Sequence, residues 1–182
     1  MKLKKEDYKI LERKIIGKSS KIDLVRKKIK LPNNKIVEWY HVEGADIVAA
    51  IVLTDNNKVI LNKEYRVAAD DIIVEIPAGK TNAKNEKERI KELNRELQEE
   101  IGYKAKKIEK LTTALRSPHN SRRVHIYLAT DLEKSTLKPD SGELIETIKL
   151  PLEKAIETVT SEVCVTTYET IAGLLLAKEK LS

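Results

Sequence analysis

The chain has one cysteine, no phenylalanine, a single tryptophan, few glycines and no long apolar run. With only Cys164 available, no internal disulfide can form, and a reducing, cytoplasmic setting is expected. Cys164 lies in the apolar alternation EVCVT and reads as packed rather than reactive. No stretch approaches the roughly 18 apolar residues of a membrane-spanning helix, so no membrane partner is expected. The opening MKLKKEDYKILERK has no apolar core segment and is not expected to act as a secretory signal. Zinc-finger spacing, Gly-rich RNA motifs and basic patches interleaved with aromatics are also missing. The formal net charge of +6 is spread over lysines that alternate with glutamate. It reads as a solvated Lys/Glu surface, with no nucleic-acid partner expected.

What the chain does have is enough apolar residue for a real core. It holds 182 residues, 41% hydrophobic and 35% charged, which suits one domain with a small extension. YKILERKII, KIDLVRKKIKL and KIVEWYHV, within residues 8–42, read as extended segments. Pro32-Asn33-Asn34 marks a hairpin turn between the last two. ADIVAAIVLT is nearly all apolar, as in a strand buried on both faces. KVILNKEYR follows the turn Asp55-Asn56-Asn57, and DIIVEIPAGK reads as a strand ending in a loop at Pro77-Ala78-Gly79. Ile90, Leu93, Leu97 and Ile101 recur at helical spacing over residues 86–101, with Gly102 as the stop. KKIEKLTTAL and RVHIYLATDL read as strands separated by a loop, RSPHNSR. A longer loop covers residues 131–143, LIETIKL is a strand, and Pro151 sits in the first turn of the helix LPLEKAIETVT. A last amphipathic helix spans residues 167–181. This order predicts an α/β (α+β) fold, a mixed sheet sandwiched between helices. Residues 1–45 form a β extension and residues 46–182 the main domain.

The segment RELQEEIGY concentrates charge. On a helix Glu96 lies over both Glu99 and Glu100, with Glu92 one turn earlier. Each such like-charge pair costs roughly 0.2–0.5 kcal/mol on an exposed helix. Clustered carboxylates suit a hard divalent cation such as Mg²⁺, which takes oxygen ligands and tolerates substrate phosphates. Taken alone, the cluster describes a solvent-facing helix more readily than a cation site.

The pattern Arg95-Glu96-Leu97-x-Glu99-Glu100-x-Gly102-Tyr103 resembles the second half of the signature of the Nudix hydrolases. Glu75-Ile76-Pro77-Ala78-Gly79 resembles the strand and loop that precede it in the ADP-ribose pyrophosphatase branch. The interval from Gly79 to Arg95 is two residues longer than the family pattern, and the pattern's early glutamate falls at Glu86 or Glu88. Pro118 lies fifteen residues after Tyr103, where a proline marks this branch. Glu64-Tyr65-Arg66 resembles the branch's QYR segment. SGELIETIKLPLEKA and GLLLAKEKL resemble its late loop, strand and closing helix.

The resemblance implies a Nudix fold that hydrolyses the diphosphate bond of ADP-ribose or a related nucleoside diphosphate sugar. The products would be a nucleoside monophosphate and a sugar phosphate. It implies Mg²⁺, with Mn²⁺ as a substitute. Glu96, Glu99 and Glu100 would be metal ligands, joined by the Ala78 carbonyl. Arg95 would orient the glutamates. Glu143 is expected as catalytic base, with Glu146 second, Glu99 acting at the metal as a further route, and His119 as a weaker candidate. Arg66, Arg116, Arg122 and Trp39 are expected to bind substrate, Arg122 (with Arg123) from a phosphate-facing loop and Trp39, next to Tyr40, by stacking on the base. The extension would build a homodimer. GDP-mannose or another sugar nucleotide is the alternative substrate, because PHNSRR departs from the branch. A non-catalytic nucleotide-binding module is the other alternative.

Overall fold

The structure, a computed structural model, describes residues 4–139, 142 and 144–182. It forms two compact units, Met1–Asp46 with Leu115–Arg123, and Ile47–Ala114 with Val124–Ser182. No helix among the described residues is long and apolar enough to cross a membrane.

In the first unit, a single 3-10 turn at Lys5–Asp7 leads into three strands, β1 (Lys9–Lys18), β2 (Asp23–Lys30) and β3 (Ile36–Glu43). β2 is antiparallel to both neighbours. The expected β2–β3 hairpin is present. Asn34 takes the left-handed conformation its short polar side chain tolerates (φ 65°). The Lys35 amide donates to Asn33 Oδ1 at 3.1 Å. Val25 is fully buried in this unit, while Ile10, Leu11, Ile16, Trp39 and Tyr40 stay exposed. Charge ties the strands together. Glu43 accepts from Arg13 Nη2 at 2.6 Å and lies 2.8 Å from His41 Nε2 and 3.4 Å from Lys27 Nζ. The Arg13 hydrogen bond is the largest influence on the pKa of the Glu43 carboxyl, which falls to about 2.

The second unit is built on β4 (Asp46–Leu53), β5 (Lys58–Arg66), β6 (Asp71–Glu75), β7 (Ala78–Thr81) and β10 (Glu146–Pro151). A long hairpin, β8 (Tyr103–Ser117) and β9 (Asn120–Lys134), contributes its larger part here. Its tip belongs to the first unit, where the Val42 amide donates to the His119 carbonyl at 2.8 Å. β4 runs parallel to β9 and antiparallel to β5, and β5 is antiparallel to β6 and β10. The helices are α1 (Glu86–Glu100), α2 (Leu152–Val159) and α3 (Tyr168–Leu181).

The apolar run on β4 is explained by the two cores it separates. Val48, Ala50 and Val52 pack with Ile60, Leu93, Leu97 and Tyr127 on the α1 side. Ala49, Ile51 and Leu53 pack with Leu61, Ile126, Ala155 and Leu174 on the α2–α3 side. Successive strand residues point to opposite faces, so a strand covered on both must be apolar throughout. Each fully buried Val, Leu or Ile contributes about 1.5–3 kcal/mol relative to exposure.

Four expectations change. Residues 78–81 form β7 rather than loop. Small side chains there let the segment lie along β4, whose Ala50 amide donates to the Pro77 carbonyl at 3.0 Å. RSPHNSR is mostly strand. The polar tip continues the ladder, and only Pro118 and His119 make the turn. β9 continues to Lys134 into the expected loop, with Asp131 at φ 53° inside it. Pro151 ends β10 and takes the N-cap position of α2 at φ −52°, ψ 146°, rather than a place in its first turn.

Candidate active site

The site is set by how α1 begins, packs and ends. Asn85 caps it, accepting from the Glu88 amide at 3.0 Å, while Glu88 accepts from the Lys84 amide at 2.9 Å. The first bond satisfies an amide that the first turn would leave unpaired, and the second ties the residue before the cap to the helix. Of the two candidate early glutamates, Glu88 is therefore an exposed capping residue. Glu86 packs beside Lys110, Arg89 and the Tyr127 hydroxyl. Burial opposes Glu86 ionisation, but the Tyr127 hydroxyl and Lys110 outweigh it and lower its pKa. Leu93 and Leu97 are fully buried against the sheet. Gly102 then stops the helix in the left-handed region at φ 72°.

With the leucines fixed inward, the carboxylates of the last two turns gather around two strands. Arg95 bridges Glu96 and Glu99. Glu100 Oε2 accepts from Asn62 Nδ2 at 2.7 Å and from the Ala78 amide at 3.2 Å. Glu96 folds flat against Gly79. A Cβ built on Gly79 would fall well under 3.0 Å from Glu96 Cδ, Cγ and Oε1, so only glycine leaves room for that carboxylate. A second group lies on β5 and β6. Arg66 Nε donates to Glu75 Oε1 at 2.8 Å, and its Nη2 sits 2.9 Å from Glu64 Oε2. Burial works against the Arg66 charge, but Glu75, Glu64 and Glu100 together raise its pKa.

Glu64, Glu75, Glu96, Glu99 and Glu100 thus face two guanidinium groups, Arg66 and Arg95, and negative charge is in excess among them. Oxygen donors with surplus negative charge are the chemistry that binds Mg²⁺. The Gly79 cradle supports the same fit. Among the described residues no three acidic, histidine or cysteine side chains close on a common point. In this arrangement the arginine and the asparagine amide hold the carboxylates.

The structure brings together Arg66, Ala78, Arg95, Glu96, Glu99 and Glu100. Glu143 lies outside the described residues. Glu146 is exposed on β10, 3.3 Å from Lys63 Nζ. Trp39, His119, Arg116 and Arg122 belong to the first unit. There Trp39 is half exposed and His119 lies in the turn. Arg116 is half-buried on β8. Arg122 is buried on β9, its Nε donating to Asn120 Oδ1 at 3.2 Å, and not on a loop. The Arg123 amide donates to Asp46 Oδ1 at 2.8 Å. Two buried residues escaped the sequence reading as parts of the site, Asn62 and Glu75. The signal for Asn62 was present, a lone amide closing the apolar run Val59-Ile60-Leu61.

A mixed sheet between helices, with a short glycine-containing strand lying against a helix that ends in clustered carboxylates, defines a class of α/β enzyme site. The NUDIX domain family matches residues 45–164, and the chain belongs to the Nudix hydrolases. It is 39% identical to an ADP-ribose pyrophosphatase of Bacillus subtilis, covering 84% of this chain and 86% of that one. It is 35% identical to a methanol dehydrogenase activator of Bacillus methanolicus, covering 71% and 70%. A crystal structure of an ADP compounds hydrolase superposes with a TM-score of 0.82 over 96% of this chain and 94% of that one, at 20% identity.

Proposed function

We propose that the chain hydrolyses the diphosphate of ADP-ribose to AMP and ribose 5-phosphate. The carrying observation is the carboxylate face of α1 seated on Gly79, in a chain 39% identical to an ADP-ribose pyrophosphatase over most of both lengths. Glu96, Glu99, Glu100 and the Ala78 carbonyl would hold Mg²⁺, or Mn²⁺ in its place. When bound, such an ion neutralises the diphosphate and acidifies a coordinated water. The chain's own residues supply the rest. Water oxygen bonds to one phosphorus, the anhydride bond breaks, and its oxygen leaves on the other phosphate. Glu143 is the base that takes the water's proton. Arg95 holds Glu96 and Glu99 in place, a role ligand-supporting groups commonly have. Arg66 contacts the diphosphate from β5, since a guanidinium matches phosphate geometry. Trp39 stacks on the base, and Arg116 and Arg122 complete the substrate contacts. Residues 1–45 mediate a homodimer, and the exposed Ile10, Leu11, Ile16 and Tyr40 support that reading. A cytoplasmic location accompanies this substrate.

The test is phosphate release through a coupled phosphatase, over a panel of ADP-ribose and sugar nucleotides including GDP-mannose. ADP-ribose with Mg²⁺ should be turned over fastest. Chelator should abolish turnover, and Glu100→Gln should remove most of it. Inactivity on every diphosphate with either metal would sink the proposal.

A further inference from the structure

We propose that Asn62 is a positioning residue for the cation site, holding the Glu100 carboxylate in its ligating orientation. The inference rests on the reading that Glu100 binds a cation. Asn62 is 2% exposed, at the end of an otherwise apolar stretch of β5. It pairs with Glu75 across to β6 and with Thr147 across to β10, in the middle of the sheet. An amide in such a place normally has both ends satisfied, because each unmet buried polar atom costs about 1–3 kcal/mol. Here only one end is. Nδ2 donates to Glu100 Oε2 at 2.7 Å, while Oδ1 is buried with no hydrogen-bond partner among the described residues. The orientation is fixed by chemistry, since an ionised carboxylate only accepts and the amide nitrogen must face it.

A side chain serving the scaffold alone would be better as valine or leucine, which carry no unmet carbonyl. Asn62 therefore makes the scaffold less stable than an apolar residue would, and among the described residues its side chain's hydrogen bond is to Glu100. The Ala78 amide joins it on the same carboxylate oxygen at 3.2 Å. Two donors on one oxygen hold Oε2 in place before any ion arrives. Groups that orient metal ligands in this way typically contribute 10–100-fold to metal affinity.

The experiment compares wild type, Asn62→Leu (an isostere without the amide), Asn62→Val and Glu100→Gln, all as the full chain. Mn²⁺ affinity is read from the free-ion electron paramagnetic resonance signal. Thermal melting is measured without metal, and ADP-ribose hydrolysis is followed against Mg²⁺ concentration. Both Asn62 variants should bind Mn²⁺ roughly tenfold more weakly. Half-saturating Mg²⁺ should rise by the same factor, with the KM for ADP-ribose at saturating metal unchanged. Their metal-free melting temperatures should equal or exceed that of wild type. Affinity within about twofold of wild type in both variants overturns the positioning role alone. Loss of folding in both also overturns it, because Asn62 would then belong to the scaffold. A wild type that binds no Mn²⁺, or binds it no better than Glu100→Gln, overturns the cation reading itself and this inference with it.

Discussion

Replacing Gly79 with alanine should separate stability from activity. The new Cβ would overlap Glu96 at Cγ, Cδ and Oε1. Gly79 does not occupy the left-handed region, so alanine adds no backbone strain there. The remedy open to the fold is rotation of Glu96, whose end is flexible. That rotation breaks the Arg95–Glu96 pair, in which Arg95 is 47% exposed. Glu96 itself is 12% exposed, so the pair stands at the upper end of the range for surface pairs, about 1 kcal/mol. Moving Glu96 also relieves its repulsion with Glu99 and Glu100, roughly 0.2–0.5 kcal/mol each. The alanine lowers unfolded-chain entropy, a further gain of about 0.4–1 kcal/mol. These terms nearly cancel, and urea denaturation should place the variant within about 1 kcal/mol of wild type. Activity should not survive in the same way. If Glu96 holds the cation, its displacement removes a direct ligand. The effect should reach at least the upper end, about 100-fold, of what supporting groups alone contribute. ADP-ribose turnover at fixed Mg²⁺ reads this directly. The double variant Gly79→Ala/Glu96→Gln should be no worse than Glu96→Gln, since both act through one carboxylate. Turnover within about threefold of wild type would show that Glu96 does not need its place on Gly79. A stability loss above about 3 kcal/mol would show that the clash is relieved through the backbone instead.

Two further predictions probe the units separately. Glu43 has its pKa lowered from 4.5 to about 2, so its contribution is present above pH 4.5 and lost as pH falls through about 2. Glu43→Gln should therefore lower stability at pH 7 by about 1 kcal/mol, after allowing for solvent screening of its partly exposed partners. The difference should vanish near pH 2, read from the fluorescence of Trp39, the only tryptophan, which lies in this unit. Arg66→Ala leaves the buried Glu75 without its guanidinium and should cost the second unit about 2 kcal/mol by helical circular dichroism. Adding Glu75→Gln should recover about half of that, and an unchanged loss in the double variant would show that charge burial is not the cause.

How much was legible in the chain varies with the range of the interactions involved. β4 was readable because burial on two faces demands an unbroken apolar run, and no polar residue interrupts the stretch from Ile47 to Leu53. α1 was readable because Leu93 and Leu97 at helical spacing leave the glutamates on the remaining face. The RSPHNSR segment misled because polar composition signals a loop, whereas a strand ladder satisfies backbone groups whatever the side chains are. β7 was missed for a related reason. Ala78-Gly79-Lys80-Thr81 has no strand pattern of its own and is held by β4.

By itself the sequence determined most of the elements, the carboxylate-bearing helix and the resemblance to the family. Each follows from local periodicity or from the fixed spacing of Arg95, Glu96, Glu99, Glu100 and Gly102. Only the tertiary structure decided what those groups touch. It seated Glu96 on Gly79 and joined Glu100 to Asn62, which lies thirty-eight residues away in the chain. It also set Arg66 between Glu64 and Glu75, and put Arg122 on a buried strand rather than a loop. The reason is physical. Periodicity reports which face of an element is buried, but a hydrogen bond between distant strands and helices depends on the packing that brings them within about 3 Å.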